Sequence, residues 1–185
     1  MPIMNRGLFL LAFVLASCAS VTPAPPSPRV QMVTTAGTLT IRLLPELAPR
    51  TVEQFAKLVR AGVYDSMYFY RVEQHFVAQT ATADDREIPM TDEQRALIKP
   101  IALETNSLRH QRGVISLAHG DDPDSGETSF SILLADAAHL DGQYTTFGVL
   151  LDSEDVLRKI EETHNQQAQD ADGRRLQIIR MTTTP

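Results

Sequence analysis

Met67-Tyr68-Phe69-Tyr70-Arg71-Val72-Glu73-Gln74-His75-Phe76-Val77-Ala78-Gln79 is the stretch whose reading decides both the fold and the site. Aromatic and β-branched residues dominate it, which is strand composition. Side chains alternate along a strand, which predicts Phe69, Arg71 and Glu73 on one face and Tyr70, Val72 and Gln74 on the other. A break near Gln74-His75 brings Phe76 and Gln79 to the wall that carries Arg71. A guanidinium, a ring and an amide on one shallow surface suit gripping a carbonyl oxygen while packing against something apolar. On this stretch alone, a strand with a solvated arginine is the favoured description.

The flanks supply more strands. Val30 to Thr35, a turn at Ala36-Gly37, and Thr38 to Leu43 read as a β-hairpin. Pro49 to Ala61 is a helix, with Val52, Phe55, Leu58 and Val59 on one face, Glu53, Lys57 and Arg60 on the other, and Gly62 as its stop. Residues 80–98 are polar and acidic and read as a surface insertion, with a capping box of Thr91 and Gln94 opening a short helix. Strands follow at Gly113 to Ala118, Ser129 to Leu134, Thr145 to Leu151 and Leu176 to Met181. A helix capped by Ser153, with Val156, Leu157 and Ile160 inward, precedes the last of these. Many short strands with two strong helices favour a closed or sandwich β architecture.

Ahead of this domain the chain changes character. Residues 1–17 carry Arg6 and the apolar run Gly7 to Leu15, too short to span a bilayer but suited to an export signal. Leu15-Ala16-Ser17-Cys18 resembles a bacterial lipobox, and Cys18 is the single cysteine of the chain. A lipid on that thiol would anchor the domain, each buried CH₂ contributing about 0.8 kcal/mol. Residues 18–29 then form a proline-rich tether, with Pro23, Pro25, Pro26 and Pro28 favouring extended polyproline II. Residues 30–182 are one domain with a real core, and 183–185 a tail.

The 185 residues include 17 basic and 23 acidic side chains; loss of Arg6 with the signal leaves 16 against 23, a net charge of −7. An acidic domain without a basic cluster argues against nucleic acid as a partner and against anionic lipid as a direct ligand. With one cysteine, the core holds by packing alone.

Four separate islands, in order, resemble the cyclophilin family of peptidyl-prolyl isomerases. They are Ala48-Pro49-Arg50-Thr51-Val52-Glu53-Gln54-Phe55, Gly62 to Val72, Arg112-Gly113-Val114-Ile115-Ser116-Leu117-Ala118 and Leu140-Asp141-Gly142-Gln143-Tyr144-Thr145-Thr146-Phe147-Gly148-Val149. The resemblance implies a mainly β fold, a closed eight-stranded antiparallel barrel capped by two α-helices, with a substrate groove on its outer wall. It implies Arg71 as the catalytic residue. Phe76, Val77, Gln79, Ala118, Ser129, Ser131, Leu140 and Tyr144 are the implied substrate-binding residues. The reaction needs no cofactor and no metal, because no bond breaks. The implied partners are proline-containing polypeptides, bound by a monomer.

The departures from the family bear on activity. Tyr70 stands where the family has His, and Val77 where it has Met. The family's Gly-Gly-Asp turn after the glutamine is here Thr80-Ala81-Thr82, so that loop must run differently. Ser129 replaces a substrate-binding Gln, and Ser131 replaces the Phe of the pocket floor. Losing that ring removes roughly 1.5–3 kcal/mol of apolar contact. Tyr70 or His75 could refill the space. The expectation is therefore an isomerase of exported polypeptides, weakened or altered in specificity, with a non-catalytic peptide-binding or chaperone-like module as the alternative. Ala19 after Cys18 points to a bacterial cell envelope, the periplasmic face of the outer membrane ahead of the inner membrane.

Other constellations carry less. His75, His110, His119, His139 and His164 lack zinc spacing. Asp121, Asp122 and Asp124 lack a full calcium-loop register and read as a solvated turn. Ser116, Ser129 and Ser131 have no Gly-x-Ser-x-Gly setting. A lipocalin-like ligand barrel is disfavoured by helices whose Phe55 and Val156 plug the ends.

Overall fold

A computed structural model describes residues 27–163 and 173–184. The expected signal, Cys18 and most of the proline-rich tether lie outside the described residues, as does His164. Among the described residues eight strands form one sheet, antiparallel at every pairing. They are β1 (Arg29–Thr34), β2 (Gly37–Leu43), β3 (Phe69–Glu73), β4 (Val77–Thr80), β5 (Val114–Leu117), β6 (Phe130–Leu133), β7 (Thr146–Leu151) and β8 (Ile178–Thr184). Their order in the sheet is β3-β4-β6-β5-β7-β2-β1-β8.

The sheet curls until its two edge strands meet. Tyr68 and Gln177 form a bridge there, Phe69 N donates to Leu176 O at 2.9 Å, and Ile178 N donates to Met67 O at 2.7 Å. Closure thus runs through a short seam, not a full ladder. β8 continues past Thr182, with Arg29 of β1 opposite Thr184, so the domain extends one residue earlier and two later than its expected bounds.

Alternation explains the core. β1 and β2 bury Val30, Met32, Leu39, Ile41 and Leu43, every second residue, and the other strands add Ile115, Phe130, Ile132 and Phe147. Each such side chain contributes about 1.5–3 kcal/mol on leaving water.

Among the described residues three helices accompany the barrel, the two expected ones and the short one opened by the Thr91–Gln94 box: α1 (Pro49–Arg60), α2 (Asp92–Leu97) and α3 (Glu154–Glu162). α1 buries Val52, Phe55, Leu58 and Val59 as its periodicity predicts. The ring of Phe55 lies 4.9 Å from those of Tyr64 and Phe147 and meets Phe130 edge-on at 5.6 Å. Its start lacks a local cap, because Ala48 precedes it. Glu104 fills that place from far along the chain: its carboxylate accepts from Arg50 N at 3.1 Å, Thr51 N at 2.8 Å and Thr51 Oγ1 at 2.7 Å.

α3 buries Leu157 and Ile160. Val156 is half-buried and seats the helix on the first hairpin, where a Cβ on Gly37 would stand 2.9 Å from Val156 Cγ2. Ser153 is the residue before α3, but its hydroxyl donates back to Leu151 O at 2.7 Å and does not cap the helix. Arg112 ties α3 to the sheet instead, pairing with Glu154 at 2.9 Å and Glu161 at 3.0 Å.

The 80–98 segment is less superficial than its polarity suggests. The Thr91–Gln94 capping box forms as expected. Gln94 Nε2 then donates to Ala61 O at 2.8 Å and Gln54 Nε2 to Leu97 O at 2.7 Å, while Ala83 and Met90 are buried. The segment is docked on the C-terminal end of α1.

Candidate functional site

The opening stretch folds as a tight hairpin. Gln74-His75-Phe76 joins β3 to β4, with Phe76 N donating to Glu73 O at 3.1 Å and His75 taking φ 59°. Register places Arg71 opposite Gln79 and Glu73 opposite Val77. One expectation fails here. Phe69 does not share a face with Arg71: Phe69 and Val72 are both buried in the core, 0% and 2% exposed. The ladder slips between Phe69 and Arg71, so Tyr70 is an extra residue on β3. Such a bulge reverses the alternation at that point. Arg71 and Glu73 consequently share the outer wall.

The Arg71 side chain is 32% exposed. Its Nε donates to Gln79 Oε1 at 3.1 Å, and its Nη1 pairs with Glu73 Oε1 at 2.9 Å. Nη2 makes no hydrogen bond among the described residues. The guanidinium carbon lies 5.8 Å from the centre of the Phe76 ring, which itself stacks on His139 at 5.6 Å.

A hollow of about 120 Å³ opens beside this group. Arg71, Phe76, Val77, Gln79, Ala118, Ser131, Leu140 and Tyr144 all border it. Ser129 does not: its hydroxyl donates to Thr80 O at 2.7 Å, and it borders a neighbouring hollow of about 580 Å³. The two hollows are neighbours, sharing Gln79, Ala118 and His119. Neither Tyr70 nor His75 refills the floor left by Ser131. Tyr70 borders the larger hollow and His75 sits exposed at the hairpin turn.

The loop after Gln79 takes a course that needs no glycine. Ala81 N donates to Tyr68 O at 2.8 Å, Thr82 is extended, and a short 3₁₀ turn follows over Ala83–Asp85. In the 121–127 turn, Asp122 and Asp124 serve as acceptors for backbone N–H groups of Asp124 and Leu103, at 2.9 Å each.

Sequence reasoning missed Ser116, which also borders the small hollow, and the two residues behind it. Asp141 Oδ1 lies 2.9 Å from His110 Nδ1, and His110 Nε2 lies 3.0 Å from Ser116 Oγ. His110 is 1% exposed. Asp141 lies 31 residues from His110, and His110 and Ser116, six apart, follow no recognised motif, so nothing local announces the three. Hydrogen bonds from the His110 backbone N–H, and then from its ring, hold the Asp141 carboxyl below the usual carboxylate range.

Comparison with known proteins gives a consistent result. The family described as cyclophilin type peptidyl-prolyl cis-trans isomerase/CLD matches residues 29–184. A peptidyl-prolyl cis-trans isomerase, CYP23 of Arabidopsis thaliana, is 43% identical over 161 residues, 84% of this chain and 70% of that protein. A probable peptidyl-prolyl cis-trans isomerase of Brucella suis is 29% identical over 171 residues, covering 88% of this chain and 87% of its own. Among solved structures, cyclophilin AquaCyp293 from Hirschia baltica superposes with a TM-score of 0.71 at 22% identity, over 85% of this chain and 74% of that one. A cyclophilin-type isomerase of Cryptosporidium parvum, crystallised in the presence of the dipeptide ala-pro, gives 0.71 at 21% identity, over 85% and 99%. At that identity the likeness speaks for the fold.

Proposed function

This chain belongs to the cyclophilin-type peptidyl-prolyl cis-trans isomerases, and from that premise we propose that Arg71 drives X–Pro rotation at a reduced rate on exported polypeptides. The observation that carries the reading is the convergence of Arg71, Phe76 and Gln79 on one proline-sized hollow of about 120 Å³.

The chemistry follows from the amide. Rotation about a peptide bond faces a barrier of about 18–20 kcal/mol because resonance must be broken. In the twisted state the nitrogen lone pair is localised, and a fixed guanidinium donating to it or to the nearby carbonyl stabilises that state over both planar ones. Phe76, Val77 and Leu140 receive the ring, Ala118 and Tyr144 border it, and Gln79 holds both Arg71 Nε and the substrate backbone. Ser129 meets residues further along the client, in the larger hollow.

Two features support a reduced rate. Ser131 leaves the floor without a ring, forfeiting roughly 1.5–3 kcal/mol of apolar contact. Glu73 occupies one of the guanidinium donors. The same polar floor favours the second reading, a peptide-binding module with negligible turnover. Exchange spectroscopy on an Ala-Pro peptide separates the two. Acceleration that Arg71→Ala lowers by about 10²-fold supports the isomerase; identical exchange with and without protein removes it and leaves the binder.

Location rests on the sequence alone. The Gly7–Leu15 run and Cys18 support export and lipid anchoring at the periplasmic face of the outer membrane, where the domain acts as a monomer. Among the described residues no helix is long and apolar enough to cross a membrane. Fractionation tests this: the wild type is expected in the membrane fraction and Cys18→Ala in the soluble one. Recovery of both in the soluble fraction would remove the anchor.

A further inference from the structure

The floor of the small hollow is polar, and its polarity is arranged. Ser116 and Ser131 are directly opposed in the β5–β6 register, so their side chains project side by side. Both border the hollow. The Ser131 hydroxyl makes no hydrogen bond among the described residues.

Ser116 is pinned from behind. Asp141 accepts the His110 backbone N–H at 2.8 Å and sits 2.9 Å from the ring Nδ1. An ionised carboxylate only accepts, so Nδ1 carries the hydrogen. In the neutral ring Nε2 is then the acceptor, and the Ser116 O–H, 3.0 Å away, points into it. What Ser116 turns toward the hollow is therefore its lone pairs. An unmodified proline ring laid over this floor displaces water from an acceptor and from a free hydroxyl without replacing either bond. A ring bearing a hydroxyl replaces both, donating to Ser116 and accepting from Ser131.

We infer that this site prefers a hydroxylated proline ring to a plain one, with Ser116 as the acceptor that selects it and His110 and Asp141 as positioning residues. The remaining walls suit a five-membered ring, since Phe76, Val77 and Leu140 are apolar and Arg71 stands at the side where the preceding carbonyl would lie. The inference deepens the isomerase reading of the same hollow and rests on it.

Titration calorimetry of the full chain with Ala-Pro and Ala-(4-hydroxyproline) peptides, in both ring epimers, tests it. At least one epimer is expected to bind about two- to tenfold tighter than the plain peptide, the span of one net hydrogen bond. The ratio is the readout, because a general packing defect lowers both affinities together. Ser116→Ala is expected to bring the ratio to one. His110→Leu is expected to do the same, while His110→Gln, whose amide oxygen can still accept from Ser116, retains part of it. Ser131→Phe leaves the Asp141–His110–Ser116 chain untouched but covers it with a ring, and is expected to reverse the preference. Equal affinities in the wild type, or a preference that survives Ser116→Ala, overturn the inference. Catalysis is scored separately by exchange spectroscopy, so loss of the isomerase reading and loss of the ring preference are distinct results.

Discussion

Arg71 and Gln79 stand directly opposite one another across the β3–β4 hairpin, and the guanidinium Nε donates to the amide Oε1 at 3.1 Å. A long, flexible cation is thereby held in one orientation by a partner whose own backbone is locked in the ladder. Preorganisation of this kind is what the role proposed for Arg71 requires.

Gln79→Leu keeps the bulk and removes the acceptor. Hydrogen bonds to charged groups contribute about 1.5–3 kcal/mol, so kcat/KM is expected to fall about ten- to a hundredfold. Exchange rates on an Ala-Pro peptide measure it, and an undiminished rate would show that Arg71 orients itself.

Glu73→Ala removes both the ion pair and the acceptor at Nη1, where the carboxylate is half-exposed. Pairs of this kind contribute up to about 1 kcal/mol to stability, so the melting temperature should barely move. Isomerase activity is expected to rise about two- to fivefold, as a freed donor becomes available to substrate. The gain should shrink in 1 M salt, where the Debye length is about 3 Å. A variant slower than wild type would mean that Glu73 positions Arg71 and does not compete for it.

Tyr64 is fully buried among Phe55 and Phe130, and its hydroxyl finds no hydrogen-bond partner among the described residues. Burial pushes its phenol well above the ordinary range. Removing an unsatisfied buried hydroxyl is stabilising, so Tyr64→Phe should add about 1 kcal/mol. A thermal melt should then shift upward by about 2–4 °C. A lower midpoint would show that the hydroxyl has a partner after all.

Glu104 governs part of the acid limb. Burial alone would raise its carboxyl, but bonds from the Thr51 hydroxyl and backbone N–H, and from Arg50, outweigh that and hold it below the usual range. A depressed folded value means that its stabilisation is present above the unfolded value of about 4.3 and is lost as pH falls through the lower folded one. Glu104→Gln should cost about 1–2 kcal/mol at pH 7 by weakening the α1 cap, and less at pH 3. Denaturant unfolding at the two pH values checks this; an equal cost at both would remove the carboxylate from the account.

Much of the molecule was legible in the chain. The β1–β2 hairpin, the α1 face and the Thr91–Gln94 box are local, each set by spacing within a dozen residues, and each forms as read. The membership of Arg71, Phe76 and Gln79 in one wall was legible too, since a hairpin turn between strands brings them together. The helix cap from Glu104 was not, because its partners lie 53 and 54 residues away. The Asp141–His110–Ser116 chain was not legible either: Asp141 lies 31 residues from His110, and His110 and Ser116, six apart, carry no motif that pairs them.

The sequence by itself determined which segments are strands, which helix faces are apolar, and which family the chain resembles, because periodicity and motif order are properties of neighbours along the chain. Only the tertiary structure decided which way the side chains of β3 point and what the hollow has for a floor. An extra residue at Tyr70 shifts the ladder by one and sends Phe69 inward with Val72, and no pattern of two can announce its own interruption. The floor is polar because β5 and β6 pair Ser116 with Ser131, a register set by packing across the barrel.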